Sequence, residues 1–130
     1  MENIGYGFGR DLELDFASAI ERVQAALMAE GFGVLTRIDV HEVLKKKLGL
    51  DIAPYAILGA CNPHLASKAI AAEPQIGLLL PCNVLVKGTP TGVTVSFADP
   101  DAMGAMTNNP ALEPHMAEAA AKLRRVLVAL

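Results

Sequence analysis

The stretch Leu78-Leu79-Leu80-Pro81-Cys82-Asn83-Val84-Leu85-Val86-Lys87-Gly88-Thr89-Pro90-Thr91-Gly92-Val93-Thr94-Val95-Ser96-Phe97-Ala98 carries the main signal for the fold class. Two β-rich runs, Leu78 to Lys87 and Val93 to Ala98, flank the turn formers Gly88-Thr89-Pro90-Thr91-Gly92, so a β-hairpin is predicted. In the second run Val93, Val95 and Phe97 alternate with Thr94 and Ser96, the pattern of a strand covered on one side only.

Upstream, the short apolar run Tyr55 to Cys61 reads as a strand buried on both faces. Asn62-Pro63 then opens a helix, with a capping side chain followed by proline at the first helical position. That helix carries Leu65, Ala66, Ala69 and Ile70 and must stop before Pro74. Earlier still, Phe32, Val34, Thr36 and Ile38 alternate with Gly33, Leu35 and Arg37, which predicts a strand. Asp39, with Glu42 three residues later, has the form of a capping box that starts a short helix ended by Gly49. Asp15 caps a helix running to about Glu30, whose apolar stripe is Phe16, Ile20, Val23 and Leu27, and Gly31 is its left-handed end. The segment Ile4 to Arg10 places its glycines on one face of a predicted strand, so that another backbone can come close. A phosphate-binding glycine loop there would need a preceding strand.

Downstream of the hairpin, Asp99-Pro100 repeats the cap-then-proline signal ahead of a short helix with Met103 and Met106. After Asn108-Asn109 comes a final helix with apolar positions Met116, Ala120, Leu123, Leu127 and Leu130. Glu113 lies near its start, and Lys122, Arg124 and Arg125 toward its end complement the dipole. The predicted order is β-α-β-α-β-α-β-β-α-α. It makes residues 1–130 a single α+β domain with an about five-stranded sheet, mixed or mostly antiparallel, with helices packed on it.

Composition narrows the partners. Hydrophobic residues make up 52% of the chain, with mean hydropathy +0.36, an excess that predicts a homo-oligomer, most simply a dimer. No apolar run reaches the roughly 18 residues of a membrane span; Ile76 to Val86 is broken by Gly77, Pro81 and Asn83. Glu2 and Arg10 with three glycines between them lack the apolar core of a signal peptide, so a cytoplasmic, membrane-free protein is expected. The net charge of −3 argues against nucleic acid, and Lys45, Lys46 and Lys47 spread around a short helix as a solvated face. Two cysteines are too few for a disulfide framework and are expected to be free thiols.

The chemistry gathers at one place. A pocket is expected between the Cys61-Asn62-Pro63 helix start, the Pro81-Cys82-Asn83 bend and the Asp99-to-Met106 segment. Its candidate residues are Cys61, Asn62, Pro63, His64, Pro81, Cys82, Asn83, Asp99 and Met103. A helix start favours an anion and lowers a thiol pKa, so the expected ligand is a small molecule or anion, and Cys61 is expected to react faster than Cys82. The competing class is a cysteine-dependent enzyme with Cys61 as nucleophile and His64 or His115 as base. A Cys/His metal site would use Cys61, His64 and Cys82, with His41 or His115, although C-x2-H here lacks a second ligand pair. Free cysteines also serve as small buried hydrophobes, and a structural dimer with no small ligand stands as the third class.

Several segments recur together in one order: Gly31-Phe32-Gly33-Val34-Leu35, Ile38-Asp39-Val40, Gly59-Ala60-Cys61-Asn62-Pro63, Leu79-Leu80-Pro81-Cys82-Asn83-Val84 and Asp99-Pro100. In that spacing the chain, from about Leu14 to Leu130, resembles the bacterial and archaeal "domain of unknown function" family numbered three hundred and two. The resemblance implies a small α+β fold, often dimeric, with no established activity and no assigned catalytic residues.

Overall fold

The computed structural model describes residues 2–130. The elements are β1 (Glu2–Asn3), β2 (Gly7–Leu12), α1 (Phe16–Ala29), β3 (Gly33–Asp39), α2 (Val40–Leu48), β4 (Tyr55–Cys61) and α3 (Pro63–Ala72). They are followed by a 3-10 helix (Pro74–Leu79), β5 (Cys82–Thr89), β6 (Gly92–Ala98), α4 (Pro100–Met106) and α5 (Glu113–Ala129). The strands form one sheet in the order β1-β2-β6-β5-β4-β3, and every neighbouring pair is antiparallel. Five long strands plus the two-residue edge strand β1 agree with the predicted α+β order, in its antiparallel form.

One face of this sheet is the core. Phe8, Leu12, Ala56, Leu58, Ala60, Val84, Val86, Val93, Val95 and Phe97 are buried against Ala19, Ile20, Val23 and Leu27 of α1 and Leu123, Val126 and Leu127 of α5. Phe8 and Phe97 stack across the β2–β6 pair with ring centroids 5.9 Å apart. The opposite face keeps contact with solvent through Tyr55, Ile57, Leu85, Thr94 and Ser96. β4 is therefore covered on one side, not on both as its apolar run suggested: Ala56 and Leu58 are buried while Tyr55 and Ile57 are only half-buried. A second small cluster, Ala69, Ile76, Leu112 and Met116, joins α3, the 3-10 helix and α5, with Met103 packed against it.

Three local departures from the sequence reading have plain physical causes. Gly5 adopts φ +63, so the chain reverses at residues 4–6 and the first long strand starts at Gly7 instead of Ile4. Within it, a Cβ on Gly9 would lie 2.5 Å from the Val95 backbone oxygen, so the bare position accommodates the neighbouring strand β6. Asp39 makes no capping bond to α2, because its carboxylate accepts from Arg37 Nε at 3.0 Å. α2 buries none of its own residues and is tied to the sheet where the Tyr55 backbone N–H donates to His41 Nδ1 at 2.9 Å. The apolar run Leu78 to Pro81 belongs to the 3-10 helix and the bend after it, since Pro74 favours a helical start and Pro81 cannot donate to the ladder. The hairpin thus begins at Cys82 and turns over Pro90-Thr91 alone.

The remaining capping signals hold. Asp15 accepts from Ser18 N–H at 2.8 Å, and Gly31 takes φ +84 at the end of α1. α3 ends at Ala72, ahead of Pro74. Arg124 and Arg125 pair with Asp99 at 3.5 Å and Glu30 at 3.0 Å, so they tie α5 to other elements instead of sitting in its last turn.

Candidate functional site

A cavity of about 360 Å³ opens where the end of β4 meets α3 and the start of α5. Its origin is legible in residue size. Ala60, Ala66, Ala69 and Ala119 line it, and small side chains on three converging elements leave space that larger ones would fill. On α3 the residues facing it, Leu65, Ala66, Ala69 and Ile70, fall at helical spacing and form one apolar face. Phe32, Leu35, Leu80 and Met116 complete an almost wholly apolar wall.

Few polar groups interrupt that wall. Asn62, only 8% exposed, uses both ends of its amide: its Oδ1 accepts from Leu65 N–H at 3.2 Å and its Nδ2 donates to Glu30 O at 3.5 Å. It therefore caps α3 and the end of α1 together, beside Gly31, where a Cβ would come within 3.1 Å of Asn62 Nδ2. Thr36 and His115 lie on the rim, and Cys61 and Cys82 lie on the wall. Ala60 pairs with Cys82 across β4 and β5, which places Cys61 one position further along β4. Both thiols are free and half-buried. Gly59, beside them, has no room for a side chain, since a Cβ would meet Thr36 Oγ1 and come within 2.9 Å of the Pro81 ring.

Burial pushes the Cys82 thiol up to about 11 from its ordinary value of 9.0, and the nearby Cys61 charge adds to the effect. A raised folded-state pKa favours the neutral thiol. Its contribution to stability is complete below pH 9 and is lost as pH rises through about 11. The loss is on the order of 2 kcal/mol. Chemical denaturation at a series of alkaline pH values is expected to show this decline in the native chain, and a shallower decline in Cys82→Ala.

The expected site residues divide. Cys61, Asn62, Pro81 and Cys82 share the cavity wall. His64 faces a separate polar recess with Glu30, Glu118 and Lys122. Pro63 is an exposed first residue of α3, and Asn83 lies on the open face of the sheet. Asp99 caps α4, accepting from Asp101 N–H at 3.0 Å, and Met103 packs in the second cluster. The Asp99-to-Met106 segment therefore does not border the cavity; it packs behind it, with Gly104 against Met116. His115, named above only as a base or extra ligand, is the histidine on the rim. Among the described residues no group of three or more His, Cys, Asp or Glu is placed to hold a metal ion, so Cys61, His64 and Cys82 do not converge. Sequence reasoning missed Thr36, Ala60 and Ala119. Alanines at 66 and 69 on α3 were the available signal for a gap, although alanine on a helix face ordinarily signals close packing.

No helix of the described residues is long and apolar enough to cross a membrane. The family model described as "Domain of unknown function DUF302" matches residues 8–130. Among solved structures, the chain is similar to the crystal structure of an uncharacterized conserved protein DUF302 from Bacillus stearothermophilus. The TM-score is 0.89 at 31% identity, covering 95% of this chain and 97% of that one. No curated protein matches the chain.

Proposed function

The chain belongs to the DUF302 family, and from that premise we propose that it is a binding module for an apolar small molecule held in the cavity between β4, α3 and α5. One observation carries the reading: a space of about 360 Å³, of the order of known ligand pockets, has an almost wholly apolar wall. Anions, the other ligand class suggested by the helix start, gain little there. The Asn62 side chain already caps α3, and an unpaired charge on an apolar wall loses its hydration. Enzymatic use of Cys61 with His64 as base has less support, since His64 faces another recess. The test is a panel of neutral apolar ligands and anions of matched size, scored by thermal unfolding. At about 100 times Kd a ligand adds about 2.7 kcal/mol of stability. Apolar ligands are expected to raise Tm, and a response to anions alone overturns the reading.

A second copy of the chain is the proposed partner, consistent with a cytoplasmic homodimer. The feature that favours it is the uncovered sheet face, where Tyr6 is 69% and Ile4 48% exposed beside Ile57 and Leu85. Sedimentation at micromolar concentration is expected to give a dimer, and Ile57→Glu is expected to shift it to monomer. A monomer throughout that range for the native chain removes the dimer.

A further inference from the structure

We propose that the free edge of β3 and the mouth of the cavity form one docking site for an extended peptide, which adds to β3 as a further strand and seats a large apolar side chain in the cavity. The proposal names a partner class for the apolar-cavity reading and rests on that reading. Its first ground is the sheet order. β3 is the last strand, paired only with β4, and spans seven residues, whereas β1 at the other edge has two. Outside the sheet ladder, no backbone hydrogen bond among the described residues involves positions 33–39. Alternate N–H and C=O groups of β3 therefore face outward without a protein partner. An added strand is the structure that meets such a row of groups in register.

Its second ground is where that edge runs. Consecutive residues of a regular strand point to opposite faces, yet Leu35 and Thr36 both line the cavity. The register shift between Val34 and Thr36 accounts for this, because a bulge re-aims a side chain. Leu35 is 68% exposed, and Ile70, on the α3 side of the same cavity, is 50% exposed, so the mouth opens between the β3 edge and α3. The bulge and the charged Arg37 hinder indiscriminate edge pairing, and the cavity supplies what a matching peptide gains in return. Every second side chain of an added strand stands on one side of the sheet, and the one beside Leu35 meets the mouth. A space of about 360 Å³ admits a phenylalanine side chain, and its almost wholly apolar wall disfavours a polar one. The strand that a second copy could offer, Gly33–Asp39, carries no aromatic residue to fill that space, so the occupant is a segment of another protein.

The test titrates the full native chain with the capped heptapeptide KTVFVTK, with forms carrying leucine, methionine or alanine at the centre, and with two N-methylated forms. The parent is expected to bind saturably, and the alanine form at least about 30-fold more weakly. One N-methylated form blocks the N–H groups of both valines, and the other blocks those of the central phenylalanine and the threonine after it. In an added strand one of these sets faces β3 and the other faces solvent. One form is therefore expected to lose at least about 10-fold in affinity and the other to stay within about 3-fold. Equal losses from both sets, a parent no tighter than its alanine form, or no saturable binding by the phenylalanine, leucine and methionine peptides overturns the proposal. Slow exchange of the β3 amides that grows with protein concentration, without peptide, gives the edge to a second copy and also overturns it. The thermal response to free apolar ligands separates the two readings. If those ligands raise Tm while the peptides fail, the docking site falls and the cavity reading stands. If the peptides show the one-sided methylation pattern and need the central phenylalanine while the free ligands give no response, the docking site stands and the free small molecule falls.

Discussion

Replacing Ala66 by Trp is expected to weaken apolar ligand binding by two orders of magnitude or more while leaving the fold intact. Ala66 lies on α3 with its side chain on the cavity wall, and it is only half-buried, so a larger group can enter the cavity without displacing the packed core. An indole would occupy much of the 360 Å³ now open between α3 and α5. Ligand and indole would then compete for one volume, and ordinary overpacking costs of about 1–3 kcal/mol are avoided because the space is empty. Titration of the native chain and the variant with the tightest apolar ligand of the panel, alongside their Tm values, measures both effects. Equal affinity in the two proteins places the ligand elsewhere.

Phe97→Ala is expected to cost about 3–5 kcal/mol, close to the whole stability of many small domains. Phe97 is 1% exposed, stacks on Phe8 and sits opposite Val84 on the central strand pair. Its removal opens a void under α1 and α5 that the rigid sheet cannot close. Urea denaturation is the measurement, with Ser96→Ala as the comparison. Ser96 lies on the same strand but points to the uncovered face, so its loss is expected to stay within about 0.5 kcal/mol. A similar cost at both positions would contradict the one-sided sheet.

The hairpin and α1 were readable because their signals are local. Alternation of Val93, Val95 and Phe97, the Asp15 cap and the Gly31 end each depend on residues a few positions apart. Where a local rule met a competing partner, it lost. Arg37 took the Asp39 carboxylate, and the apolar run before Cys82 folded as a 3-10 helix. The whole-strand burial expected for Tyr55 to Cys61 failed because periodicity cannot report which sheet face the helices cover. They cover the one bearing Ala56 and Leu58.

The site was legible in its thiol half. Asn62-Pro63 marked a helix start and Pro81 a bend, and Cys61 and Cys82 beside them do share a wall. The other half comes from far along the chain. His115 and Ala119 arrive on α5, and Thr36 from β3 just beyond a register shift between Val34 and Thr36. No spacing in the sequence relates those residues to Cys61. Asp99 and Met103 were expected at the pocket because Asp99-Pro100 repeats the cap-then-proline start seen at Asn62-Pro63, ahead of a helix with Met103 and Met106. Gly104 instead packs on Met116, which holds that segment behind the wall.

The central claim is that the apolar cavity is the binding site. Methyl chemical-shift mapping of the native chain with a neutral apolar ligand tests it most directly. The account predicts saturable shifts concentrated on Leu65, Ala66, Ala69, Leu80, Met116 and Ala119, which line the cavity, with Ile57 and Leu85 on the open sheet face unmoved. Shifts confined to Ile57 and Leu85, or no saturable shift with any apolar ligand of the panel, would contradict it.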